Sequence, residues 1–159
     1  MDFVTLKNTL FLILESINKT DSRIDKYIAL QDYSPLLQFE IDDDAKKREY
    51  SKFMLFSSKL VSDIERTDRY ISTLSAFICQ ADDEMHNNIT PLLSAVFNEY
   101  ERWRTSAKLF LVNTENVFNS NDQKRYSSLL TEARALSSTT QALCKTINNG
   151  ILKITDPLI

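Results

Sequence analysis

"DDEMH", Asp82 to His86, contains the single histidine of the chain, with Asp82 four residues and Asp83 three residues before it. On a helix these spacings bring all three side chains to one side, where imidazole and carboxylate can share a divalent cation or pass a proton. One histidine is too few for most metal sites, and the stretch has no cysteine. A carboxylate-bridged two-metal bundle in its usual form uses two Glu-x-x-His motifs, and the chain has none. A nucleophilic triad would have to draw its base from His86. With one glycine in the whole chain, glycine-rich phosphate loops are absent. The paired carboxylates Asp82 and Glu84, and Asp42 and Asp44, lie in charge runs that read as solvated helix ends. The residues therefore predict no catalytic centre, no metal and no cofactor.

"YERWRTSAK", Tyr100 to Lys108, sets Arg102 and Arg104 around Trp103, a basic and aromatic cluster of the kind that holds nucleic acid. Trp103 also stands at seven-residue spacing between Val96 and Phe110. That spacing assigns it to a buried seam, with the arginine stems covering its flanks. The net charge of −3 offers a polyanion no general attraction, so nucleic acid is not expected as a partner. Cys79 and Cys144 stand far apart and read as small buried hydrophobes rather than reactive thiols, in a reducing compartment.

The elements that carry these residues follow from composition and period. Of 159 residues, 43% are hydrophobic, one is glycine and three are proline. A chain so poor in glycine has little room for hairpin turns, and the length suits one domain with a real core. A first helix over about residues 2–31 is predicted by Phe3, Leu10, Ile17 and Ile24 at seven-residue spacing, beside Leu6, Ile13, Thr20 and Tyr27. Pro35 opens a short helix over 35–41, whose Leu36, Leu37, Phe39 and Ile41 would cover Tyr50, Phe53 and Phe56. A second long helix over 45–87 carries the seam Leu60, Ile64, Thr67, Ile71, Leu74, Ile78, Ala81 and Met85, alternating four and three. "NNITP" is expected to end it, with Thr90 as cap and Pro91 opening a third helix over 91–119. Ser120 and Gln123 read as a capping box before a fourth helix over 121–149, closed by Gly150 as a left-handed C-cap. The fold class is all-α: an antiparallel up-down four-helix bundle with long helices and one short extra helix.

"TLFLIL" and "KLFLV" place apolar residues where a four-helix bundle offers no cover. Leu10 to Leu14 is far too short to cross a membrane, and the basic start of a cleavable secretory signal is missing. The expected location is the cytoplasm, or outside the cell without such a signal. Phe11, Leu12, Leu109 and Val112 are the candidate partner contacts, together with Leu152, Ile154 and Leu158 of an apolar tail over 151–159. The expected function is non-catalytic protein–protein interaction, with another protein or a second copy of the chain. A ligand-sensing bundle is the alternative, with a small molecule in a gap lined by Tyr100, Arg104 and Tyr126.

Overall fold

The computed structural model describes residues 3–33, 36, 43–80, 83–120 and 122–155, apart from the side chains of 83–86, 123 and 155. The elements are α1 (Phe3–Leu30), α2 (Asp43–Gln80), α3 (Asp83–Asn119), a 3-10 turn (Gln123–Ser128) and α4 (Leu129–Thr155). No strand occurs among the described residues. Each helix meets its two neighbours, so α1 and α3 lie across the core from one another.

Cross-helix pairs give the directions. Ser16 meets Thr67 and Tyr27 meets Phe56, so α1 and α2 run antiparallel. Tyr50 bonds Glu115 and Arg104 pairs with Asp68, which makes α2 and α3 antiparallel. Trp103 donates to Thr140 while Phe118 packs on Tyr126, and α4 returns antiparallel to α3. The fold is the expected up-down bundle.

Both predicted rows of α1 are buried from Leu6 to Tyr27. Trp103 is fully buried, as its seam position requires. Its indole N–H donates to Thr140 Oγ1 at 3.0 Å, which satisfies the one polar atom of the ring in the core. The α3–α4 interface contains Ala107, Ala133 and Thr140, small residues that let backbones approach. Between α2 and α3 stand Phe53, Phe110 and Phe118, and contact there is the lightest of the four interfaces.

Three expected boundaries move. The break between the second and third helices falls at residues 81–82, not at "NNITP", and Pro91 lies inside α3. Pro91 removes one helical bond, to the carbonyl of Asn87, and both residues are exposed, so water can take that carbonyl. Thr90 is correspondingly within the helix rather than its cap. After α3, Asp122 is the cap: its side chain accepts from the Lys124 N–H at 3.0 Å, and Ser120 Oγ accepts from the Asp122 N–H. The fourth helix thus begins as 3-10 and becomes α at Leu129.

Gly150 is the third correction. It has no positive φ, and α4 runs through it to Thr155. A Cβ there would meet Val96 Cγ2 at 3.7 Å and Leu92 Cγ at 3.9 Å, ordinary contacts. Gly150→Ala is therefore expected to raise stability by about 0.5–1 kcal/mol through helix propensity and a less entropic unfolded chain. A left-handed C-cap would give the opposite sign, and a urea midpoint distinguishes the two.

At 28 and 27 residues, α1 and α4 are shorter than α2 and α3 at 38 and 37. Tyr126 of the 3-10 turn packs on Phe118 near the end where α2 begins and α3 stops. Tyr33 and Leu36 are buried after α1, with the Tyr33 hydroxyl 3.0 Å from that of Tyr27. Leu36 is the one described residue of the expected short helix; Leu37, Phe39 and Ile41 lie outside the described residues.

Candidate ligand cleft between the first two helices

The edge of α1 that faces α2 carries Leu12, Ser16, Lys19, Arg23 and Leu30, at spacings of three, four and seven. Two of these reach directly across. Ser16 Oγ lies 2.8 Å from Thr67 Oγ1, and the Arg23 guanidinium pairs with Asp63. Asp63 has no exposed surface and also receives Arg66 at 2.8 Å, while Arg66 Nε donates to Ser16 Oγ at 3.0 Å. The polar layer compensates a carboxylate that would otherwise be too costly to bury. Both arginines bond Oδ1, and Oδ2 has no partner among the described residues.

Toward the end of α1 this edge opens into a cleft of about 180 Å³. Tyr27 and Phe56 lie among its lining residues, their rings stacked at 4.4 Å. Leu30 and Leu55 stand beside them, 67% and 63% exposed. Arg23, Lys26, Lys52 and Lys59 complete the lining with Gln31, and among the described residues no carboxylate lines the space. Arg23 is matched by Asp63, and Lys52 by Glu49 at 3.1 Å and by the Leu30 carbonyl. Lys26 and Lys59 make no ion pair among the described residues. The cleft is thus locally cationic in a chain of net charge −3. Gln31 Nε2 donates to the Tyr27 carbonyl, and its Oε1 is buried without a partner among the described residues.

The residues singled out in the sequence are distributed differently. Phe11 and Leu12 are exposed on α1, and Lys7 sits over the Phe11 ring at 5.7 Å. Leu109 and Val112 are exposed on α3, and Leu109 lines a groove with Glu132 and Ala135 of α4. Since α1 and α3 are diagonal, these two pairs do not form one surface. On α1, Phe11 points directly away from the buried row, whereas Leu12 flanks it on the α2 side. Leu152 is exposed, but Ile154 is a correction, because at 6% exposure it belongs to the core with Ile151. The cause is the continuation of α4 past Gly150, which keeps its apolar row turned inward. Leu158 lies outside the described residues.

The gap expected at Tyr100, Arg104 and Tyr126 does not form. Tyr100 is buried against Trp103, Arg104 clasps Asp68 of α2 through two nitrogens, and the Tyr126 hydroxyl donates to the Ser120 carbonyl near the end of α3. Cys79 is exposed, contrary to the expected buried position. Cys144 is half-buried; its thiol donates to Asn18 Oδ1 and is pushed up to about 11 by burial and then by Asp21. The side chain of His86 lies outside the described residues, as does Asp82. Among the described residues no three His, Cys, Asp or Glu side chains converge. No helix is long and apolar enough to cross a membrane among the described residues.

No protein-family model matches the chain, and no curated protein or solved structure matches it.

Proposed function

We propose that the protein acts without chemistry of its own, by holding another protein on its helix surfaces, with the α1–α2 edge as the principal contact. The observation that carries this reading is the pair of exposed leucines, Leu30 and Leu55, set beside the unmatched Lys26 and Lys59. Exposed apolar side chains rimmed by polar ones are a common composition for a surface that is covered in use. Leu12 extends the same edge of α1 by 18 residues, about 27 Å at 1.5 Å per residue. Phe11, Leu109, Val112 and Leu152 remain as separate exposed points on other faces.

The test is association read by light scattering over a wide concentration range, alone and with a partner captured by the intact protein. Leu30→Ser with Leu55→Ser should weaken that association at least tenfold and leave the helical circular dichroism unchanged. Equal association in the double variant would move the contact to another face.

A further inference from the structure

Beyond protein association, we infer that the α1–α2 cleft is a binding site for a small free acid: one carboxylate or phosphate on a small apolar ring. Each part of that description comes from a lining group. Cavities of about 150 Å³ admit a benzene ring, so a cleft of about 180 Å³ accommodates one ring with a small substituent. Leu30 and Leu55, with the buried and stacked rings of Tyr27 and Phe56 behind them, provide apolar surface for such a ring. An acid is specified by the charge balance. Four cations line the space, two are matched by Asp63 and Glu49, and Lys26 and Lys59 are left with none among the described residues.

The matched pairs contribute geometry. Asp63 holds Arg23, and the Leu30 carbonyl and Glu49 hold Lys52, so both cations are tethered beside the cleft. Binding an anion there needs less side-chain ordering than at free surface lysines. Gln31, its amide nitrogen engaged by the Tyr27 carbonyl, closes the end of the cleft without adding charge. A neutral ligand would leave the two lysines unused.

The probe is 4-hydroxybenzoate, titrated into the intact protein while the methyl resonances of Leu30 and Leu55 are followed by NMR. A dissociation constant of about 0.1–1 mM is expected for a ligand of this size, with shifts confined to the cleft and weakening as salt rises. Lys26→Glu with Lys59→Glu should weaken binding at least tenfold. The same charge change at two exposed lysines outside the cleft, Lys108→Glu with Lys145→Glu, should leave it within twofold. The neutral 4-hydroxybenzyl alcohol should bind at least tenfold more weakly than the acid. No saturable shift at Leu30 and Leu55, equal affinity for the alcohol, or equal loss in both lysine pairs would each overturn the assignment. Association by light scattering is measured with no acid present, so failure of the cleft and failure of the protein contact are read separately.

Discussion

Phe110→Ala should lower the stability of the protein by about 3–5 kcal/mol, while Leu109→Ala, one residue away, should change it by less than about 0.5 kcal/mol. The Phe110 ring is buried and meets Tyr27 of α1 and both Phe53 and Phe56 of α2, all edge-on, at 5.8–6.2 Å. Removing it opens a cavity and also deletes edge-to-face contacts worth about 0.5–1.5 kcal/mol each, contributions that overlap rather than add. Its position makes the loss global, since Phe110 is where α3 reaches across the bundle to α1. Leu109 is 53% exposed and has little packing to lose. Guanidinium denaturation followed by circular dichroism checks the contrast. Equal midpoints for the two variants would mean that the aromatic cluster does not hold the helices together.

Raising the pH from 10 to 12 should destabilise the fold steeply, and Tyr27→Phe with Tyr33→Phe should remove most of that slope. The two hydroxyls face each other in the core. Burial pushes Tyr27 up to about 12, against the lowering effect of the Tyr33 hydrogen bond and with a further rise from Glu49. Tyr33 is raised as well, by burial first and then by Tyr27 and Glu49. Both folded values lie above the ordinary value of 10. Above pH 10 the unfolded chain therefore loses these protons before the folded one does. Stability that is fully present below pH 10 is lost as the pH climbs toward the folded values.

The slope is about 1.4 kcal/mol per pH unit for each tyrosine, reaching about 2–3 kcal/mol at pH 12 from Tyr27 alone. Replacing both hydroxyls removes donor and acceptor together and should be nearly neutral at pH 8. Either single replacement leaves one buried hydroxyl unpaired and should cost about 1–3 kcal/mol. Tyr50, raised first by its bond to Glu115, and Cys144 shift in the same direction and remain in the double variant. Denaturant midpoints at pH 8, 10, 11 and 12 provide the test. An unchanged slope in the double variant would show that other groups carry the alkaline loss.

The features legible in the amino-acid order are those that repeat locally. The seven-residue rows through Leu10 and Trp103 identify the inward face of each helix, because a helix returns to the same side about every seven residues. The scarcity of glycine excludes hairpins for a reason equally local. The candidate cleft had no such signal. Lys26 and Lys59 are 33 positions apart, and nothing in either neighbourhood distinguishes them from other helical lysines. Only the register of α1 against α2 brings them to one opening, and that register depends on contacts along the whole interface, from Ser16 with Thr67 to Tyr27 with Phe56. Burial of Asp63 depended on it too, since an acid in a charged stretch reads as solvated until two arginines are placed beside it.

The helix ends show the same division. Pro91 and Gly150 have strong local preferences, yet each lies inside a helix. Pro91 is exposed, where its missing bond can be made up by water; Gly150 is buried against Val96 and Leu92, where packing of α4 on α3 outweighs its preference to end a helix. The amino-acid order by itself determined which side of each helix is buried. The tertiary structure decided where the helices stop and which charges meet, because those depend on contacts between residues distant in the chain.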